Sequence, residues 1–365
     1  MLAGIPKETA PRERRVAATP DSVKRLLAMG FEVRVEPEAG AAAGYTDAAY
    51  EEAGAAIDPE VLEAADLVLA VQTPAVARLK RGAMLAGLLS PFDDEDRRAA
   101  FAVGGVEAFA MELMPRITRA QAMDALSSQS NLAGYAAVIR AADLFGRAFP
   151  MMVTAAGTIA PARVLVLGAG VAGLQAIATA RRLGAVVSAM DVRPAAREQV
   201  ESLGASFVEV DHKQPSLAED ESGYAREMGE DYKREQAGKL AETLARTNIV
   251  VTTALIPGRP APRLLSAGMV RAMPPGSVVV DLAVSQGGNC ELSRADQIVE
   301  EAGVFILGDS DLPSSVAQDA SALYARNLTA FTELLVDKDR SVLAPDYNDP
   351  IVAATALNPK ETADG

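Results

Sequence analysis

The sequence predicts an α/β protein with two doubly wound parallel-sheet domains joined by a long helix. Short apolar runs of strand length alternate with segments of helical period, which is the pattern of a parallel sheet covered by helices on both faces. These runs fall into two series, and a helical stretch without proline, residues 130–149, lies between them. A chain of 365 residues is also long enough for two domains.

The first series of runs predicts a first domain over residues 1–126 and 313–365. Its expected strands are residues 2–5, 31–35, 67–71, 84–89 and 106–111. A helix is expected at residues 21–29, because Pro20 and Asp21 form a start signal and Gly30 a stop signal. A helical stretch at residues 317–335 is expected to return to this domain. Residues 337–365, rich in Asp, Pro and Asn, are expected to form a loose tail.

The second series predicts a second domain over residues 127–312. Its six expected strands are residues 163–167, 186–190, 206–210, 248–254, 277–282 and 304–307. Six is the usual number of strands in a dinucleotide-binding sheet. A charged insertion at residues 211–246 interrupts the series and ends in a helix at residues 230–244. A loop of this length is either functional or a solvated surface loop, and both interpretations stay open.

Composition excludes several classes of function. With 35 Lys and Arg against 49 Asp and Glu, the formal charge of -14 gives no electrostatic reason to bind nucleic acid or an anionic membrane. Cys290 is the only cysteine and His212 the only histidine, so neither an intrachain disulfide nor a multi-histidine metal site is expected. The N-terminus turns polar at Pro6, too early for a secretory signal, and Pro161 interrupts the most membrane-like run. We therefore expect a cytoplasmic protein that holds no metal and does not insert into a membrane.

A glycine-rich motif follows the first expected strand of the second domain and consists of Gly168, Ala169, Gly170, Val171, Ala172 and Gly173. In a strand-to-helix turn, the first glycine permits the tight turn, the second lets a pyrophosphate approach the backbone, and the third lets the helix pack on the strand. The N–H groups that begin the helix then face the phosphates. Asp191 lies 18 residues beyond Gly173, at the end of the next expected strand. The combination favours a Rossmann-like dinucleotide site over an ordinary α/β turn.

Asp191 also indicates which dinucleotide binds. A carboxylate at this position accepts hydrogen bonds from a ribose 2'-hydroxyl and repels a 2'-phosphate, so NAD is favoured over NADP. Val192 and Arg193 follow at the strand end. Arg193 either neutralises a phosphate or faces solvent. We expect the second, which would leave the charge of Asp191 unscreened.

Two further segments are expected to border the cofactor. Ligands of doubly wound sheets lie outside the carboxyl ends of the strands. This places Thr253, Ala254 and Leu255, after the fourth expected strand, and residues 282–284, after the fifth, beside the dinucleotide. Turn formation and core packing are fully compatible with the same residues.

The stretch at residues 111–131 leaves the last strand of the first domain and enters the interdomain helix. It is dense in side chains that hydrogen-bond an amide, a ribose or a partner protein, and it lies where the two domains should face each other. It is therefore either a cleft site or a capped hinge in which Ser and Asn end one helix and start the next.

Several strings of residues resemble a known superfamily. The opening Gly4-Ile5-Pro6-Lys7-Glu8, the Arg15-Val16 and Thr19-Pro20 that follow, and the glycine-rich motif resemble the alanine dehydrogenase and nicotinamide nucleotide transhydrogenase superfamily. The strings at residues 114–121, 127–135, 149–152 and 252–258 resemble more specifically the NAD(H)-binding component of proton-translocating transhydrogenases. The likeness extends from the first residue to about residue 340.

This resemblance implies a function and a set of partners. NADH bound here passes a hydride directly to NADP+ on a separate NADP-binding subunit, and the reaction is coupled to proton movement through a membrane-spanning subunit. The chain is then expected to form a homodimer attached peripherally to the cytoplasmic face of the inner membrane. No acid–base residue is required, because hydride transfer between nicotinamides needs only close approach, orientation and exclusion of water.

The resemblance also implies site residues. Arg116, Gln121 and Asp124 correspond to an Arg-Gln-Asp loop that meets the NADP-binding partner. The cofactor-binding residues implied on the same loop include Ile117 and Thr118, with Ser127 near the nicotinamide. A loop bearing a tyrosine, which closes over NAD(H), corresponds to Gly223 and Tyr224 in the insertion.

Two rival functions stay open. Alanine dehydrogenase is expected to hold pyruvate with a lysine and to use a histidine acid–base in its first domain, but the corresponding stretches, residues 71–74 and 88–90, contain neither residue. The other rival is a non-catalytic NAD-sensing module whose closure controls a partner.

Overall fold

A computed structural model of the chain describes residues 1–92, 95–210, 229–256, 258–337 and 339–358. These residues form an α/β fold that divides into two compact units. The first unit contains Met1–Gln129 and the described residues from Pro313 onward, and the second is Ser130–Leu312. The predicted fold class, with parallel sheets and a dinucleotide-type topology, is confirmed.

The sheet of the first unit is parallel throughout. Its strands among the described residues are β1 (Leu2–Ile5), β2 (Glu32–Val35), β3 (Ala56–Ile57), β4 (Leu67–Leu69), β5 (Met84–Gly87) and β6 (Glu107–Ala110). Their order across the sheet, β3-β2-β1-β4-β5-β6, is that of a doubly wound dinucleotide fold. Every predicted run of this unit is a strand. β3 was not predicted, because two residues are too short to form an apolar run.

Helices cover this sheet. They are α1 (Pro20–Ala28), α2 (Asp47–Glu52), α3 (Val61–Ala64), α4 (Glu95–Gly104) and the long α5 (Ala125–Leu144), which contains the boundary between the units. α1 begins where predicted, because Thr19 and Ser22 form a capping box and Pro20 occupies the first turn. α5 begins five residues earlier than predicted and ends five residues earlier.

The second unit contains a hairpin, a sheet and four more helices. Its strands within the described ranges are β7 (Met152–Thr154), β8 (Gly157–Ile159), β9 (Arg163–Leu167), β10 (Val186–Met190), β11 (Ser206–Phe207), β12 (Ile249–Thr252), β13 (Val278–Asp281), β14 (Gln297–Glu301) and β15 (Val304–Gly308). Its helices are α6 (Val171–Arg182), α7 (Ala196–Ser202), α8 (Glu230–Leu244) and α9 (Ala267–Arg271).

The sheet of the second unit has one strand more than predicted. Seven strands are described in the order β11-β10-β9-β12-β13-β15-β14, and β14 runs antiparallel to β15 at the edge. The prediction of six strands was wrong, because β14 reads Gln-Ile-Val-Glu-Glu and is not an apolar run. Its charged side chains suit an edge strand, which must avoid pairing with other chains.

The C-terminal residues return to the core of the first unit. They form α10 (Ala317–Thr332), β16 (Val336–Asp337), β17 (Val342–Leu343) and α11 (Pro350–Thr355). Tyr324 of α10 is buried and donates to the carbonyl oxygen of Ala70 at 2.8 Å. The expectation of a loose tail is wrong for residues 342–358, because Ile351 and Val352 are buried in the same core. No helix among the described residues is long and apolar enough to span a bilayer.

Candidate functional site

The second unit has its topological switch point between β9 and β12. β9 pairs with β10 on one side and with β12 on the other, and all three strands are parallel, so their carboxyl ends meet at one edge of the sheet. Ligands of doubly wound sheets bind outside this edge. The structure brings together here three predicted groups: the glycine-rich motif, residues 191–193 and residues 253–255.

The three glycines of the motif have different surroundings. Gly168 has a φ of +96°, a left-handed conformation that favours glycine. A Cβ on Gly173 would lie 1.8 Å from the carbonyl oxygen of Gly168, so only glycine lets the helix approach the turn. A Cβ on Gly170 would meet nothing within 4 Å, and its φ of -76° suits any residue. Neither strain nor packing therefore explains a glycine at position 170.

The start of α6 can receive an anion. Gly170 is the N-cap residue, and no described side chain caps this end of the helix. The N–H groups of a first helical turn have no acceptor within the helix, and the helix dipole favours negative charge there. Ala169 is buried and Val171 is 43% exposed, so the turn opens to solvent on one side. A pyrophosphate would fit this cradle.

Asp191 connects the end of β10 to the glycine turn. Its Oδ2 accepts a hydrogen bond from the backbone N–H of Ala169 at 2.7 Å. The Nε of Arg193 donates to Oδ1 and its Nη2 to Oδ2, both at 3.0 Å. Arg193 is therefore paired with Asp191 and is not the solvent-facing residue we expected. The Asp191 charge is not unscreened either, because the guanidinium contacts both carboxylate oxygens.

The segment after β12 is bonded to the glycine turn. The Thr253 hydroxyl donates to the carbonyl oxygen of Gly168 at 2.9 Å. The Ala254 backbone is held by Asn289, which is fully buried. Leu255 is 37% exposed at the same edge. Turn packing thus accounts for Thr253 and Ala254 without a ligand, and the same contacts bring them beside the turn.

Asp281 and Asn289 were missed by the sequence analysis. Asp281 ends β13 and is fully buried, and Asn289 lies in the loop that follows. A charged residue that ends the run Val-Val-Val-Asp was an available signal, because buried carboxylates require specific donors.

The predicted loop residues of the first unit lie on one continuous segment. Residues 118–123 form a 3-10 helix, and Asn327 of α10 holds it by donating to the carbonyl oxygen of Ala122 at 2.8 Å. Arg116, Ile117, Thr118 and Gln121 are exposed. Asp124 instead accepts from the backbone N–H of Ser127 at 2.9 Å and from its hydroxyl at 2.5 Å. The capped-hinge interpretation therefore explains Asp124 and Ser127, but not the exposed residues.

The remaining predicted residues fall outside the described part of the chain. Gly223 and Tyr224, which the resemblance placed in a closing loop, lie in residues 211–228, as does His212. Among the described residues, no cluster of His, Cys, Asp and Glu could hold a metal ion.

The switch point of the first unit is filled by its own polar side chains. Glu8 follows β1 and accepts from the backbone N–H of Val71 at 2.6 Å. Arg15 forms a buried ion pair with Glu13, and the Gln72 amide donates to Glu13 at 2.8 Å. Burial alone would raise the pKa of Glu13, but Arg15 outweighs it and the pKa is lowered. Gln72 and Ser90 lie in the stretches where a dehydrogenase lysine and histidine were expected.

Glu8→Gln should flatten the pH dependence of stability. Burial, with a smaller contribution from the Glu13 charge, raises the pKa of Glu8 from 4.5 to about 7. The folded protein therefore holds a proton that the unfolded chain releases, and the stability from this group is lost as pH rises from 4.5 to about 7. Urea unfolding at pH 5 and pH 7.5 should show a pH-dependent loss in the unmodified protein roughly 1–3 kcal/mol larger than in the variant. Equal losses in the two proteins would contradict the shift.

These features define a class of protein: a two-unit α/β protein whose second unit has a dinucleotide-type glycine turn and an acidic residue after the next strand. Comparison with protein-family models identifies the family. The model for the alanine dehydrogenase/PNT N-terminal domain matches residues 4–133, and that for the alanine dehydrogenase/PNT C-terminal domain matches residues 137–362. The chain belongs to the alanine dehydrogenase/PNT family.

Similar proteins agree with this family. The chain is 52% identical to an NAD(P) transhydrogenase alpha subunit of Rhodospirillum rubrum, over 98% of this chain and 96% of that protein. A solved structure of transhydrogenase from Sinorhizobium meliloti superposes with a TM-score of 0.88 at 49% identity and covers 98% of both chains. Alanine dehydrogenase of Halomonas elongata is 30% identical over 95% of this chain and 91% of that protein.

Proposed function

We propose that this chain is the NAD(H)-binding component of a proton-translocating nicotinamide nucleotide transhydrogenase. The observation that carries the proposal is the open space over Gly170, at the start of a helix that no described side chain caps. Such a position suits a pyrophosphate that must approach the backbone. The near-full-length similarity to a transhydrogenase alpha subunit supports this choice within the family.

The proposed reaction is direct hydride transfer from NADH to NADP+, coupled to proton translocation by the whole complex. NADH supplies the hydride, so the chain's own residues have only to bind, orient and exclude water. Gly168, Gly170 and Gly173 would hold the pyrophosphate, and Asp191 the adenosine ribose. This division of labour is consistent with stretches 71–74 and 88–90, which lack the lysine and histidine expected of alanine dehydrogenase.

We assign the exposed loop residues to the partner-facing chemistry. Gln121 would hydrogen-bond across the two nicotinamides, and Arg116 would contact a ribose oxygen or the NADP-binding subunit. Both are exposed, as such contacts require. Asp124 would act through its Ser127 contact, which holds the start of α5. Gly223 and Tyr224 complete the proposed site as a cover over the nucleotide.

The partners follow from the same proposal: an NADP-binding subunit, a membrane-spanning subunit and a second copy of this chain, at the cytoplasmic face of the inner membrane. The hairpin of β7 and β8 supports self-association, because Met151 is 63% and Val153 74% exposed. Light scattering should give the mass of a dimer, and Val153→Lys should shift it toward a monomer. A monomer at all concentrations would contradict the homodimer.

Asp191→Ala should weaken NADH binding and narrow the preference for NADH over NADPH. The variant loses a charge-assisted contact to the ribose and releases Arg193, which can then meet a 2'-phosphate. Such a contact contributes about 1.5–3 kcal/mol, so the Kd for NADH should rise roughly tenfold to 150-fold in a fluorescence titration.

Arg193→Ala is the matched control for this change. It leaves Asp191 charged and removes the neighbouring cation. NADH binding should persist while NADPH binding weakens further. Equal affinity of the unmodified protein for NADH and NADPH would contradict the assignment.

A further inference from the structure

Asp281 is a buried carboxylate with an unusually complete set of donors. Its Oδ1 accepts from the Thr252 hydroxyl at 3.0 Å and from the backbone N–H groups of Ala283 at 3.0 Å and Asn289 at 3.2 Å. Its Oδ2 accepts from the Cys290 N–H at 2.9 Å and the Ser293 hydroxyl at 2.6 Å. A buried charge is tolerated only when such donors compensate the loss of water. The carboxylate therefore organises the loop that follows β13.

Asn289 carries this organisation to the next strand end. Its Oδ1 accepts from the Ala254 N–H at 3.0 Å, and its Nδ2 donates to the carbonyl oxygens of Ala254 at 2.8 Å and Pro262 at 2.8 Å. The side chain thus bonds both backbone groups of Ala254. An aspartate would present an acceptor to two carbonyl oxygens, and an alanine would leave the Ala254 backbone without these bonds.

The contacts continue to the glycine turn. Thr253, next to Ala254, donates to the carbonyl oxygen of Gly168, and the N–H of Ala169 donates to Asp191. Hydrogen bonds therefore connect the ends of β13, β12, β9 and β10 in turn. This edge is the one that the proposed dinucleotide would occupy.

We infer that Asp281 and Asn289 are positioning residues that hold the 253–255 segment and the glycine turn in the conformation that binds the dinucleotide. Neither residue needs to touch the cofactor. The inference rests on the proposed NAD(H) function of this site. Preorganisation raises affinity because the segment does not have to be ordered when the ligand binds.

Asn248 provides a matched control. Its Oδ1 accepts from the backbone N–H of Arg163 at 2.9 Å, so it also joins β12 to β9, but at the amino edge of the sheet. Asn289→Ala and Asn248→Ala should be compared for melting temperature and for the Kd of NADH by fluorescence titration. We expect Asn289→Ala to raise the Kd at least tenfold and Asn248→Ala to leave it within twofold. A Kd within twofold for Asn289→Ala, or equal loss of affinity in both variants, would overturn the inference.

Hydrogen exchange of the unmodified protein tests the inference without any variant. The Ala254 amide should be protected before NADH is added, because Asn289 already accepts its hydrogen bond. Free exchange without nucleotide, followed by protection on binding, would show that the segment is not preorganised and would overturn the inference. Absence of NADH binding by the unmodified protein would instead contradict the proposed function, so the two failures are distinguishable.

Discussion

Gly170→Ala should reduce NADH affinity at least about tenfold, the equivalent of about 1.4 kcal/mol, without loss of stability. The added methyl group meets nothing in the protein, and alanine accepts the φ of -76°. The same methyl group would occupy the space through which the pyrophosphate approaches the backbone. Calorimetric titration with NADH, beside thermal unfolding without nucleotide, checks both parts of the prediction.

Two glycines provide the controls for this change. Gly146 is exposed and a Cβ there also meets nothing within 4 Å, so Gly146→Ala should change neither stability nor affinity. Gly173→Ala should lose both, because the methyl group would lie 1.8 Å from the Gly168 carbonyl oxygen and push the helix from the turn. Unchanged NADH affinity in Gly170→Ala would show that this turn does not hold the pyrophosphate.

Gln121→Ala should slow hydride transfer about 100-fold while changing the Kd for NADH less than about threefold. Gln121 is exposed on a short 3-10 helix, and the helix is held by other residues, so alanine should leave the loop in place. A contact made only when the two nicotinamides are apposed contributes to the rate and not to binding of one nucleotide. Single-turnover kinetics with an NADP+-loaded partner and a separate NADH titration measure the two quantities.

The controls separate a transfer role from a structural one. Gln199→Ala removes an equally exposed glutamine on α7 and should change neither quantity. Asp124→Asn should slow transfer more mildly, since asparagine can still cap the start of α5. If Gln121→Ala lost affinity and rate in equal proportion, the loop would be an ordinary part of the NADH site.

Much of the fold could be predicted because its central strands are buried on both faces. β1, β9 and β10 are continuous apolar runs bounded by polar or glycine residues, and their predicted limits match the structure. The antiparallel β14 could not be found this way, since an edge strand alternates charged and apolar residues. The packed C-terminal residues were missed because Ile351 and Val352 are a short apolar pair in a polar segment, and only the core of the unit shows where they go.

The candidate site was predictable where backbone geometry dictates residue type. The left-handed φ of Gly168 and the close approach at Gly173 require glycine, so the spacing alone indicated the turn. Side-chain partners were not predictable: the Arg193 pairing with Asp191 depends on rotamers, and the bonds from Asn289 to Ala254 join residues 35 apart in the sequence. Such contacts exist only after the strand ends have been brought together by folding.

Rapid mixing tests the central claim most directly, namely that this chain passes a hydride from its own NADH to NADP+ on another subunit. The protein loaded with NADH is mixed with a purified NADP-binding subunit loaded with NADP+, with no membrane present, and the two reduced nucleotides are followed separately. We predict a burst of NADPH formation matched by loss of NADH, and no turnover when either protein is omitted. Absence of the burst when both nucleotides are bound, or alanine-dependent reduction of NAD+ by this chain alone, would contradict the account.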